Sequence, residues 1–399
     1  MLGPVVPASH LAGILSDGIP RSITELTGLS GLARSTVRER VGELVSIDLL
    51  CPTGQTVSRG GRPTALFQIR DDSWLVLAVD LGVRHCQVGV TNMFGTLLAT
   101  HRMDIDIADG PDIILALVTQ VAVNLLQRNG ISPDCIRAVG VGLPGPVEHA
   151  TGRPIDPPVM PGWHQADVPA ALRSHFGVPV LVDNDVNAAV LGERLLGWPD
   201  CSDLVYVKVS TGIGAGIVSH GQLLRGAQGA AGDIGHVLLH STARQQCRCG
   251  RVGCLEAAAG GDAIVRTLAQ EYGRDVTSLT DVVRLAQAGD AQVSQLLRES
   301  GRAVGDVLVA SVSLLNPSTI VLGGTLGELG DHLLTAVRET VYARGSSLAT
   351  RDLTITRSKA GADAALVGAG VLGIEHLLSR EYIQERIDLA TGTLSMNRP

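Results

Sequence analysis

The chain has 399 residues, 45% of them hydrophobic and 18% charged, with a formal net charge of −7. That length accommodates two or three domains with substantial cores. No apolar run is long enough to span a bilayer, so a membrane-spanning helix is not expected. Charge is uneven: residues 1–70 hold seven Arg against five acidic residues, a balance of +2, which leaves −9 for the rest. A basic end on an acidic body suits a protein with one nucleic-acid-binding end. The N-terminus lacks a charged segment followed by an apolar one, so no signal peptide is expected. Of seven cysteines, Cys51, Cys86, Cys135 and Cys201 are scattered singly. That spacing argues against a disulfide framework, and reduced thiols fit a cytoplasmic location.

In chain order, Ser9 to Asp17 reads as a short helix with Leu11, Ile14 and Leu15 inward. Ser22-Ile-Thr-Glu25 is a capping box, and the helix it opens carries Ile23, Leu26 and Leu29. Gly31 supplies the positive φ that commonly ends a helix. A further helix is expected from Arg34 to about Ile47, with Val37, Val41, Leu44 and Val45 at helical spacing. Its other face presents Arg34, Ser35, Thr36, Arg38 and Arg40. This is the layout of a helix-turn-helix, whose second helix enters the major groove N-terminus first. Leu49-Leu50 and Ala65–Ile69 read as strands flanking Ser58-Arg-Gly-Gly-Arg-Pro63. The result is a β-wing whose Arg59 and Arg62 are placed to meet phosphates or a minor groove. The plain alternative is a small helical regulatory module with merely solvated arginines.

After Asp71-Asp72, apolar strands alternate with helices. Trp74–Asp80 is a buried strand ending in an acid, and Val88–Thr91 and Leu97–Ala99 follow as its neighbours. Asp112 to Arg128 is a long amphipathic helix, and Ala138–Gly142 a strand running into Leu143-Pro-Gly-Pro-Val147. Val178–Asp183 is another strand. It leads to Asn184-Asp185, which opens a helix. Read from the residues alone, Asn and Asp at that point are helix caps. Val209–Gly216 and Ile320–Gly324 are glycine-rich turns after strands, suited to close backbone approach to phosphates but weak signals singly.

The most specific pattern is Gly232-Asp-Ile-Gly-His236 followed by Cys247-Arg-Cys249-Gly-Arg-Val-Gly-Cys254-Leu-Glu256. One imidazole (His236) and three thiols (Cys247, Cys249, Cys254) form the Cys3His set of a closed structural Zn2+ site. Gly250 and Gly253 allow the tight turns such convergence needs.

These motifs resemble those of the ROK family, which contains sugar kinases and sugar-responsive transcriptional repressors. The resemblance implies an α/β fold: an N-terminal winged helix-turn-helix over residues 1–70, then a two-lobed actin-like ATPase fold. Its first lobe would span 74–195 and its second, with the zinc loop, 196–380, leaving 381–399 as a tail with a mobile end. The Gly-Arg-Pro wing resembles that of the family's repressors. By the same resemblance, Asn184, Asp185, Asp233, His236 and Glu256 meet a sugar, and in an active kinase Asp185 is the general base. Asp233 stands where the family usually has Glu. The implied nucleotide-side residues are Asp80, Gly82, Thr211, Gly212, Gly214, Gly323 and Gly324, serving ATP and Mg2+ only if kinase activity is retained. The kinases carry Asp-x-Gly-Gly-Thr where this chain has Asp80-Leu-Gly82-Val83-Arg84. A branched side chain and a guanidinium there are expected to obstruct phosphate. The favoured reading is therefore a DNA-binding repressor acting on operator DNA, with a sugar or sugar-phosphate effector, as a homodimer or homotetramer. A hexose kinase that also binds DNA, and a winged-helix protein that binds a protein partner, are the alternatives.

Overall fold

The structure is a computed structural model that describes residues 7–57, 64–239 and 245–393. The N-terminal head has α1 (Ala8–Leu15), β1 (Arg21–Ser22), α2 (Ile23–Ser30), α3 (Arg34–Ser46), β2 (Leu50–Val57) and β3 (Thr64–Ile69). The expected capping box is formed: Ser22 Oγ accepts from the Glu25 amide at 3.2 Å, and the Glu25 carboxylate accepts from the Ser22 amide at 2.9 Å. Gly31 ends α2 at φ +68°. Sheet order β1-β3-β2 with three helices is a winged helix. Two expected core positions are not core: Leu29 is 59% and Val45 is 38% exposed. The two-residue strand β1 carries no sequence signal of its own and forms only because Leu66 and Phe67 offer it an edge.

The first lobe is built from β4 (Leu75–Leu81), β5 (His85–Thr91), β6 (Leu97–Asp104), α4 (Pro111–Arg128), β7 (Ile136–Leu143), the short hairpin β8 (Val147–Glu148) and β9 (Arg153–Pro154), α5 (Val168–Phe176), β10 (Val180–Asn184) and α6 (Asp185–Gly197). Its sheet runs β10-β7-β4-β5-β6. The second lobe adds β11 (Leu204–Val209), β12 (Ile213–Ser219), β13 (Gln222–Leu223), α7 (Leu255–Ala259), α8 (Gly261–Arg266), α9 (Leu279–Gln287), α10 (Ala291–Leu315), β14 (Thr319–Gly323), α11 (Gly324–Gly327), α12 (His332–Arg344), α13 (Ser347–Thr350) and β15 (Thr354–Arg357). Its sheet runs β13-β12-β11-β14-β15. Each lobe is thus a three-stranded antiparallel meander whose first strand pairs in parallel with a fourth, and the fourth with a fifth. The same topology occurs twice.

The C-terminal segment departs from the expected boundaries. Helix α14 (Ala364–Leu377) does not belong to the second lobe but returns to the first, packing on α6, β4 and β7. The contact with α6 is as close as backbone allows: a Cβ at Gly368 would overlap the Ala188 carbonyl, and one at Gly192 the Ala364 carbonyl. Residues 381–390 are not a tail. They form α15 (Arg380–Ala390), capped by Ser379, with Ile383 and Ile387 buried. This helix packs on α1 and α3, so one apolar core joins Leu11, Leu15 and Ile69 of the head to Trp74, Ile374, Leu377 and Ile387 of the body. No single helix among the described residues is long and apolar enough to cross a membrane.

Candidate functional site

Parallel strands β4, β7 and β10 end together, with Asp80 and Asp183 both opposite Gly142, and ligand sites of open α/β sheets lie outside such carboxyl ends. Asn184 caps α6: its Oδ1 accepts from Val186 and Asn187 amides at 2.8 and 3.3 Å, and its Nδ2 donates to the Gly145 carbonyl at 2.9 Å. It does the work of a cap and keeps one amide N–H for a ligand. Asp185, the first residue of the helix, is 5% exposed and accepts from Lys208 Nζ at 2.7 Å. Behind it, Asp183 Oδ2 pairs with Arg225 Nε at 2.7 Å while Oδ1 accepts from Asn187 Nδ2, also at 2.7 Å. The Lys208 and Arg225 pairs both link the second lobe to the first. Sequence spacing had singled out neither cation, because each partner lies on a different strand or loop.

Glu256, in the first turn of α7, accepts from the Ile213 amide at 3.2 Å, and a Cβ at Gly212 would overlap its carboxylate. Burial raises its pKa, against the opposing pull of the Ile213 amide and His236. The 3-10 turn Ile234–His236 packs through Gly235 on Ile213 and Glu256, and Gly214 abuts Val186 of α6. The Thr211–Gly214 turn therefore lies beside the first turn of α6, with Glu256 and the turn carrying His236 packed on it. Asp233, exposed, opens the same 3-10 turn.

Below them lies the Cys/His cluster. The His236, Cys247, Cys249 and Cys254 ligand atoms all lie within 4.8 Å of one another. His236 Nδ1 faces Cys247 Sγ at 3.7 Å, and the Cys249 and Cys254 sulfurs are 3.7 Å apart. A tetrahedral ion with ~2.3 Å bonds to sulfur sets its ligands about 3.8 Å apart, so the four residues fit zinc. Gly250 and Gly253, at φ +85° and +86°, make the turns. Burial opposes ionisation of Cys249, but hydrogen bonds from Arg251 and the neighbouring thiols bring its pKa down to about 6, while burial and Cys249 push Cys254 up to about 12. A bound cation would hold all three as thiolates.

The nucleotide side is divided. Ser210 Oγ and Thr325 Oγ1 lie 3.1 Å apart, and a Cβ at Gly324 would crowd the Val209 carbonyl, so the second phosphate turn and the Gly323-Gly324 turn face each other. The first turn is closed, though not by the residue expected. Arg84 points outward to an ion pair with Asp106 and is 75% exposed. It is His85 that fills the loop: its carbonyl takes the Gly82 amide at 2.8 Å, its ring lies where a Gly82 Cβ would be, and Nε2 meets Asp80 Oδ2 at 3.0 Å.

On the head, Arg34, Ser35 and Arg38 are exposed and Thr36 half-buried at the N-terminal half of α3. Neither Arg34 nor Arg38 makes an ion pair among the described residues. Arg40 differs from expectation: it turns inward to Glu43 at 2.5 Å, leaving its side chain 16% exposed. Arg59 and Arg62 lie outside the described residues.

The ROK family pattern matches residues 76–376. A xylose repressor of Caldicellulosiruptor bescii is 27% identical over 371 residues, covering 90% of this chain and 92% of that one. A crystal structure of a ROK family transcriptional regulator, a homologue of the E. coli MLC protein, superposes with TM-score 0.81 at 24% identity, covering 95% of this chain and 98% of that one. A ROK family glucokinase from Streptomyces griseus, in complex with glucose and AMPPNP, superposes with TM-score 0.66 at 26% identity; it is covered to 99% but matches only 75% of this chain. The regulators span head and body alike, and the chain belongs to the ROK family.

Proposed function

We propose that the protein is a sugar-responsive, DNA-binding transcriptional repressor. The observation that carries this is the junction of head and body. A winged helix with free Arg34, Ser35 and Arg38 shares its core, through α15, with a body whose cleft presents Asp185 and Glu256. The likeness to a xylose repressor over nine-tenths of both chains supports it. In this reading Arg34, Ser35, Thr36 and Arg38 meet operator DNA, and the Arg59–Arg62 wing tip meets the backbone. The effector is a sugar held by Asn184, Asp185, Asp233, His236 and Glu256, with zinc on Cys247, Cys249, Cys254 and His236 Nδ1 fixing the wall that carries His236 and Glu256. Zinc would supply no chemistry beyond holding that wall. Residues 7–70 act as the DNA-binding domain, and two copies pair to read a two-fold operator.

Sugar at the N-terminus of α6 pushes on a helix that has no slack against α14, because the Gly192 and Gly368 contacts leave none. Helix α14 continues into α15, and α15 touches α1 and α3. A ligand shifts such an equilibrium only by binding one lobe arrangement better than the other. The rival reading, an ATP-dependent hexose kinase, is favoured by the glycine-rich Ser210–Gly214 turn and by Asp185. Against it, the Gly82 amide that would cradle a phosphate is already bonded to His85.

The test is fluorescence anisotropy of the zinc-loaded protein on DNA from upstream of its own gene against scrambled DNA, at two salt concentrations. Specific binding about a thousandfold over scrambled DNA, shifted by D-xylose or D-glucose and lost on Arg34→Ala with Arg38→Ala, is expected. Binding at the scrambled level, with sugar-dependent ADP release that disappears in Asp185→Asn, would establish the kinase instead.

A further inference from the structure

The duplicated topology sets one residue of each lobe in an equivalent place. Asp80 is the penultimate residue of β4, opposite Gly142 of the parallel neighbour and Gln87 of the hairpin partner. Lys208 is the penultimate residue of β11, opposite Gly323 and Gly214 in the same two roles. The two lobes thus aim an anion and a cation at one another across the cleft. Lys208 Nζ reaches Asp185 at 2.7 Å. Burial works to discharge the ammonium, but Asp185 and Asp80 outweigh it, with Arg102 opposing them, and the pKa is raised. Asp80 is 3% exposed; Oδ2 contacts His85 while Oδ1 is buried with no hydrogen-bond partner. The cleft floor therefore holds two carboxylates and one ammonium, which is bonded to Asp185 and feels the charge of Asp80.

We propose that Lys208 is a resident counter-ion that makes this cleft a receptor for an uncharged sugar and turns away its phosphate ester. The proposal rests on the sugar-receptor reading and names the ligand class. A sugar hydroxyl can donate to the lone pairs that Asp185 keeps free without displacing Lys208. A phosphate dianion cannot. Within reach of Lys208 it faces Asp185, with Asp80 nearby, and must share a single positive charge with the carboxylate that already holds it at 2.7 Å. The amide of the turn beside Asp80, which would otherwise receive it, is taken by His85. A cation supplied by the second lobe also occupies the role in which a phosphotransferase uses a metal ion and the charge of a second substrate. Lys208 is thus a specificity-determining residue whose effect falls on ligand charge.

Calorimetric titration of the full-length, zinc-loaded protein tests this with six probes. They are D-glucose, D-xylose and N-acetyl-D-glucosamine, and the 6-, 5- and 6-phosphates of each. At least one neutral sugar is expected to bind, roughly tenfold or more tighter than its own phosphate, because like-charge juxtaposition in a closed site is costly. Asp80→Asn removes one anion and should narrow that ratio, while Lys208→Gln removes the cation and should widen it. Opposite movement is the signature of charge selection. A variant that only loosened packing would lower both affinities together and leave the ratio where it was, and that result in both variants overturns the proposal. A phosphate binding as tightly as its parent sugar in the unaltered protein also overturns it while leaving the receptor reading intact. Binding of none of the six defeats the receptor reading itself, and the proposal with it. Thermal melts of both variants show whether each is folded.

Discussion

The molecule is held at two junctions made of different material. Head meets body through side chains such as Leu11, Leu15, Leu377 and Ile387, all buried in one cluster. The Phe94 ring, at the β5–β6 turn, adds contact with Gly18. Lobe meets lobe through a smaller apolar cluster, with Val186 and Val190 of α6 against Leu204, Tyr206 and Val218, and near the cleft through ion pairs, Lys208 with Asp185 and Arg225 with Asp183. Apolar contact is non-directional and close-packed, so the first junction moves as a block. Ion pairs are directional and are rebalanced by any polar ligand that enters. The difference tells where a signal can originate and where it can only be transmitted. A sugar can change the second junction, while the first passes the change on.

The largest effect should come from removing the brace of the polar junction. Cys249→Ser, or chelation of the metal-loaded protein, is expected to abolish sugar binding and lower the melting temperature by ~10 °C or more, since structural zinc carries on the order of 10 kcal/mol of apparent binding energy. DNA binding by the head should survive at low temperature, which calorimetry and anisotropy on the same sample would show. Metal content by mass spectrometry should fall from one zinc per chain to none. Loss of the metal with no change in sugar affinity would remove the brace from the account.

Next comes the apolar junction. Ile387→Ala empties a site that is 5% exposed, at a cost of about 2–5 kcal/mol. Because the loss falls between head and body, the sugar response of DNA binding should weaken more than either binding event alone. Equal loss of all three would mean that α15 serves stability and not coupling.

Much of this was readable in the chain. Ser22 and Glu25, Gly31 and the run from Arg34 specify the head locally, because caps and turns act over three or four residues. The Cys3His spacing did the same for the metal cluster. What could not be read is which of several available partners a group takes, and which distant elements meet. Nothing near Arg40 in the helix-face pattern gives preference to Glu43 over DNA. Gly82 looks like a phosphate turn until His85 is seen to occupy its amide. Only its contacts with α6, β4 and β7 assign α14 to the first lobe, and only then does α15 acquire something to cover.

A smaller effect separates the two ion pairs of the polar junction. Arg225→Met leaves Asp183, with its side chain 4% exposed, supported by Asn187, the Asn184 amide and a distant His149 at 3.9 Å. A partly exposed partner lost from such a group should cost about 1–3 kcal/mol. The lobes should then open further in solution, measurable as a larger radius of gyration by small-angle scattering that added sugar reverses. An unchanged radius would show that the Arg225 pair does not hold the cleft closed.

The smallest effect is that of pH, and it distinguishes the junctions most directly. The Asp80 carboxyl is buried, which favours its neutral form, but His85, Lys208 and Arg102 together hold its pKa below the usual carboxylate value of 3.8. A depressed folded value means that its contribution is full above that ordinary value and fades only as pH falls through the lower one. Lys208 behaves in the opposite sense: its folded value lies above the ordinary 10.5, so its contribution is full below 10.5 and fades as pH rises past the folded value. The contributions of Asp80 and Lys208 should therefore stay constant between their ordinary values of 3.8 and 10.5 and weaken outside that window from both sides. The head–body contact, made mainly of Leu, Ile and Val side chains, should follow that change far less. Scattering and calorimetry across pH 3 to 11 would show the cleft opening at both extremes while the head stays docked. Opening near neutral pH would mean that some group other than Asp80 and Lys208 governs the closure.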